Sequence, residues 1–120
     1  MLPARRPKQP KPRKEPKVRR VCLPHQKWIR TEWACVACGT LGDDVNPIQA
    51  AHLRLETGGG MGLKPSDRWL LPLCFRCHQT DQHQHGELSF YRKLGVADPK
   101  AVCEGLSRQS PYWPILREMP

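Results

Sequence analysis

Leu71-Pro72-Leu73-Cys74-Phe75-Arg76-Cys77-His78 decides the reading of this chain, because it repeats the cysteine spacing of Cys35-Val36-Ala37-Cys38 after 35 intervening residues. Two residues between cysteines let a tight turn present both sulfurs to one cation. Two such turns complete the tetrahedron of thiolates that a zinc ion prefers. Cys35, Cys38, Cys74 and Cys77 are therefore the expected ligands of a structural zinc ion. The competing readings are two disulfides, disfavoured without a secretory signal, and a redox pair, disfavoured without a thioredoxin-like pattern around either motif. Cys22 and Cys103 remain, and read as small buried hydrophobes.

Working outward, Ile48-Gln49-Ala50-Ala51-His52-Leu53 is short and partly alternating, as a strand ending at His52 would be. Glycines at 58, 59, 60 and 62 mark a loop, and Trp69 to Leu73 make an apolar approach to the second cysteine pair. Pro72 argues there for an edge strand or none. From Cys74 to about Gln84 the chain lacks glycine and proline and reads as a helix start. His78 and His83 lie on it five apart, where helical neighbours are three or four apart. Leu88, Tyr91 and Leu94 give a short amphipathic helix stopped by Gly95, and Asp98-Pro99 reads as an N-cap and first helical residue. Val102 and Leu106 extend that last helix to about Ser110, and a tail with Tyr112 and Trp113 is expected to pack through its aromatics.

A chain of 120 residues is about one domain. Its hydrophobic fraction of 38% and mean hydropathy of −0.64 leave too little apolar surface for a large core, so bound metal is expected to supply folding energy. No stretch approaches the roughly 18 apolar residues of a membrane span, and charge and proline occupy the N-terminal stretch where a signal peptide would be apolar. The expectation is a cytoplasmic protein with no membrane partner.

The net charge of +9 suggests a polyanionic partner. Arg5, Arg6, Lys8, Lys11, Arg13, Lys14, Lys17, Arg19 and Arg20 against Glu15 put +8 of it in residues 1–20, leaving +1 for the remaining hundred. Five prolines share that segment, so it reads as a disordered basic arm for phosphate contacts, with a merely solubilising tail as the alternative. Residues 21–120 form the expected folded domain.

The order Cys-x-x-Cys, Ala-His-Leu, Gly-Gly, Cys-x-x-Cys-His resembles the HNH family of His-Me finger nucleases. Gly62-Leu-Lys-Pro-Ser-Asp-Arg-Trp69, Pro72-Leu-Cys-Phe-Arg-Cys-His78 and His25-x-x-Trp-Ile-Arg30 further resemble its phage and prophage subgroup of Ref-type recombination enhancement nucleases. The resemblance covers residues 25–97. It implies a small α+β domain with a ββα-metal core, stapled by zinc, with further C-terminal helices. It implies a metal-dependent DNA endonuclease in which His52 is the general base, and His78 and His83 hold a catalytic divalent ion, Mg2+ or Mn2+. Two positions depart from the family pattern: Ala51 stands where an aspartate often precedes the histidine, and the middle asparagine is missing. Asp67 is the nearest polar candidate for that place, able to orient His52 or reach the metal, or else to cap a turn. The resemblance also implies a partner, a recombinase filament or another phage or bacterial DNA-processing protein. The competing function is a non-catalytic zinc module that binds nucleic acid or protein.

Overall fold

The computed structural model describes residues 2–10, 19–54, 65–82 and 86–120, with only the backbone described for residues 80–82. The glycine run at 58–62, His83, Lys11, Arg13, Lys14 and Lys17 lie outside these residues. Helix α1 (Leu23–Glu32) precedes strand β1 (Ile48–His52), strand β2 (Leu70–Cys74) and a π-helical segment (Cys77–Gln82). Helices α2 (Glu87–Lys93), α3 (Pro99–Gln109) and α4 (Trp113–Leu116) follow. The architecture is a small α+β fold around a two-stranded antiparallel sheet.

β1 ends at His52, as its alternation predicts. β2 is a full strand despite Pro72, and the phase of the ladder explains why. Leu53 donates to Trp69 O and Phe75 to Pro47 O, and hydrogen-bonded pairs alternate along an antiparallel ladder. The Ala50–Pro72 pair therefore falls at a non-bonded position, where a missing N–H leaves β1 nothing to lose. On its other side, Pro72 O accepts from Val36 N at 3.0 Å, which fastens the first cysteine loop to β2. All five residues of β2 are buried, because α1 covers both strands and α3 packs on β2. The helix expected from Cys74 begins after it. Cys74 closes the strand, and the winding from Cys77 is π, not α.

The loop between Cys35 and β1 depends on two glycines. Gly39 (φ 76°) turns the chain after the first cysteine pair, and Gly42 (φ 80°) approaches Ile48 so closely that a Cβ would stand 3.0 Å from its nitrogen. The helices expected downstream form, but their buried faces differ: Phe90 joins Tyr91 and Cys103 joins Leu106, while Leu88, Leu94 and Val102 are exposed. α2 ends just before Gly95, and Asp98 caps α3 by accepting from Ala101 N at 3.1 Å with Pro99 as first residue. The tail forms α4, and Leu116 and Met119 pack with Cys22 in a second small cluster beside Tyr112, Trp113 and Ile115.

His25 on α1 is fully buried, bonded through Nδ1 to Ser110 Oγ at 2.9 Å and stacked on Trp28. Among the described residues its Nε2 meets no partner. Burial depresses its pKa to about 4, a shift only partly offset by the charge of Asp67. The folded ring stays neutral down to about pH 4, whereas the unfolded ring takes a proton near pH 6.5. Stability from this group is complete above about pH 6.5 and is lost as pH falls towards 4. We expect roughly 2 kcal/mol of loss between pH 7 and pH 5 from His25. In urea unfolding of zinc-loaded protein, His25→Gln should be less stable at pH 7 yet flatter across this range. An unchanged pH slope would refute the assignment.

Candidate functional site: a cysteine cluster and a histidine–aspartate pair

The cysteine loops present their sulfurs from both ends of the second strand's surroundings. Cys35 N donates to Thr40 O and Gly39 N to Cys35 O, which closes the first turn. Cys74 ends β2, and its sulfur accepts from Cys77 N at 3.5 Å. Asn46 supports the second turn through Oδ1, which accepts from Arg76 N at 2.9 Å. The ligand atoms of Cys35, Cys38, Cys74 and Cys77 all lie within 4.8 Å of one another, and Cys38 Sγ is 3.7 Å from Cys74 Sγ. All six cysteines are free thiols, so no disulfide forms. Four sulfurs at 2.3 Å from a central ion would stand about 3.8 Å apart, so this donor set has the size and chemistry for a metal ion such as zinc.

The thiols of the cluster are shifted in opposite directions. Burial would raise the Cys74 thiol, yet hydrogen bonds, first from the Cys77 amide and then from Asn46, bring it down to about 7. Cys77 is pushed far above the thiol range by burial, its bond to Cys74 and the charge of Cys35. Four thiolates this close repel one another unless a cation lies between them.

The second feature lies at the far end of β1. His52 Nε2 is 2.8 Å from Asp67 Oδ1. Asp67 is 1% exposed, and its other oxygen accepts from Cys22 N and Gln26 Nε2, both at 2.7 Å. Burial raises the carboxyl, but the bonds from His52, Cys22 and Gln26 outweigh it and hold Asp67 below the usual carboxylate range. Asp67 N also donates to Arg20 O at 2.8 Å. One residue thus joins β1, the first turn of α1 and the end of the N-terminal segment.

The next residue ties in the C-terminus. Arg68 bonds Glu104 through Nε at 3.0 Å and Nη2 at 2.6 Å, donates to Met119 O, and lies over the rings of Trp69 and Trp113. Trp69 Nε1 donates to Pro120 O at 2.9 Å.

Of the residues singled out in the sequence, the four cysteines come together, and so do His52 and Asp67. His78 Nδ1 is 2.7 Å from Oε1 of Gln49, on the strand that also carries His52. Strand alternation puts Gln49 and Ala51 on one face of β1 and Ala50 and His52 on the other. Among the described residues the cysteine set is the one group of three or more metal-ligating side chains. Arg5, Arg6 and Lys8 are exposed in a segment without regular structure, and Arg19 is exposed beside a half-buried Arg20. Gln26, the Cys22 amide and Gln49 were not legible as site groups, because their partners lie 41, 45 and 29 residues away. No helix among the described residues is long and apolar enough to cross a membrane.

These features define a small α+β protein with a four-cysteine cluster positioned to bind a metal. The chain belongs to the family described as protein of unknown function DUF968, whose model matches residues 7–97. It is similar to an uncharacterized protein of Escherichia coli (strain K12), YdfU, with 39% identity over 71 residues. That match covers 58% of this chain and 18% of the relative, so it spans under a fifth of the relative's length. No solved structure matches.

Metal analysis tests the cluster directly. We expect about one zinc ion per chain, released by chelator together with loss of the folded state, since structural zinc contributes on the order of 10 kcal/mol to small folds. Cys74→Ser should lose the metal. A folded, zinc-free preparation would refute the site.

Proposed function

We propose that the chain is a metal-dependent endonuclease that hydrolyses DNA phosphodiesters, with a structural zinc ion in the cysteine cluster and His52 as general base. The observation that carries this reading is the 2.8 Å contact of His52 Nε2 with Asp67 Oδ1. An anionic Asp67 accepts only, so the ring proton sits on Nε2 and Nδ1 keeps its lone pair. The imidazole is 24% exposed, which leaves it open to water and phosphate. Water attacking phosphorus would give its proton to Nδ1 as the P–O bond to the leaving oxygen breaks, that oxygen taking a proton from solvent, and Asp67 would stabilise the imidazolium that forms. A divalent ion, Mg2+ or Mn2+, when held by His78 and His83, would stabilise charge on the phosphate and leaving oxygens. The basic segment would supply sequence-independent affinity for DNA.

A second reading, a non-catalytic zinc module that binds nucleic acid or a recombination partner, draws on two observations. Ala51 precedes His52 where a carboxylate ligand would help, and His78 is engaged by Gln49. The test is incubation with supercoiled and single-stranded DNA, with and without each divalent ion and a recombinase filament. His52→Ala should slow cleavage roughly 10²- to 10⁴-fold at saturating metal, with zinc content and DNA affinity unchanged. His78→Ala should instead raise the metal concentration required. Cleavage by His52→Ala at the wild-type rate would remove the base assignment, and a wild type that cuts no DNA under any condition would favour the second reading.

A further inference from the structure

The basic segment and the histidine site meet at one residue. Asp67 holds His52 through Oδ1 and the start of α1 through Oδ2, while its own amide donates to Arg20 O. The root of the arm and the imidazole are therefore separated by the span of a single aspartate. Arg19 is exposed, and its Nε donates to Val21 O at 3.3 Å, which turns the guanidinium back along the junction. The folded remainder carries only +1, so a polyanion is attracted chiefly to residues 1–20.

We propose that Arg19 and Arg20 are phosphate-binding positioning residues of the site itself. A nucleic-acid strand with one phosphate at His52 would set a neighbouring phosphate against these two guanidinium groups, whose planar forks suit phosphate oxygens. The arm then delivers the strand in register with His52, beyond raising its local concentration. This inference rests on the reading of residues 1–20 as a polyanion-binding arm, and its test does not require cleavage.

The experiment uses the full zinc-loaded chain with labelled histidine side chains, no added divalent ion, and hexathymidylate as probe. In the wild type, the His52 imidazole resonances should shift on binding. Arg19→Gln with Arg20→Gln should abolish that shift and lower the salt slope of log affinity by about 1.4, the loss expected for two phosphate contacts on a single strand. Both changes spare the main-chain bond from Asp67 to Arg20, and unchanged zinc content verifies folding. Arg30→Gln with Lys93→Gln removes the same charge from exposed positions on α1 and α2, and should keep the shift and most of the affinity. Equal losses in the two double variants, an unshifted His52 in a bound wild type, or no binding by the wild type would overturn the proposal. A His52 shift that depends on Arg19 and Arg20, alongside cleavage indifferent to His52→Ala, would keep this proposal and sink the nuclease mechanism.

Discussion

Four sulfurs within 4.8 Å of one another impose the constraint on which the other contacts depend. As thiolates they would repel, and a cation held between them would turn that repulsion into a cross-link joining the loop before β1 to the end of β2. The cross-link matters because a two-stranded sheet is marginal alone. With the Cys35–Cys38 loop fixed to β2 by Val36 N and Pro72 O, the register places Ile48 opposite Cys74 and hence His52 opposite Leu70. A slip of one residue would carry His52 to the other face. The face on which the histidine lies is therefore tied to a pairing four residues away, at the cysteine cluster.

Asp67 is the second point of convergence, and it works by a different economy of charge. An ionised carboxylate that is 1% exposed is tolerable only if its lone pairs are met. Here the donors come from three separate parts of the chain: His52, the Cys22 amide and Gln26. Removing any one leaves the others facing an under-solvated charge, so α1, β1 and the turn before β2 are coupled through it. Arg68 continues the strip towards the C-terminus. Its fork meets both oxygens of Glu104 while its plane lies over two indole rings, a combination a lysine could not reproduce.

What was legible in the sequence was local. The cysteine spacing, the strand ending at His52, the Asp98-Pro99 cap and the stop near Gly95 are each decided by a few neighbouring residues, and each has its counterpart in the fold. Pro72 was misleading because its cost depends on ladder phase, and phase is a property of the pairing with β1, not of the β2 segment. The start of the helix after Cys74 was placed too early, since the second cysteine turn needs Cys74 extended. The winding from Cys77 is π, closing its bonds from i to i+5, which residue pattern alone does not distinguish from an α-helix. Helix α1 gave weak notice of itself, and its two buried residues, His25 and Ile29, are oriented by long-range contacts. Asp67 was visible as a polar candidate, but its partners were not, because they lie 15, 41 and 45 residues away.

Charge distribution links these two nodes. The cysteine cluster organises a nearly neutral body, and the strong positive field belongs to a segment that has almost no apolar residues to bury. Such a segment would ordinarily be free to enter the fold anywhere on its surface. Here it enters at Asp67, because the main-chain bond to Arg20 and the Cys22 amide secure two residues just before α1. The same aspartate that holds the imidazole thus also fixes where the basic segment joins the fold.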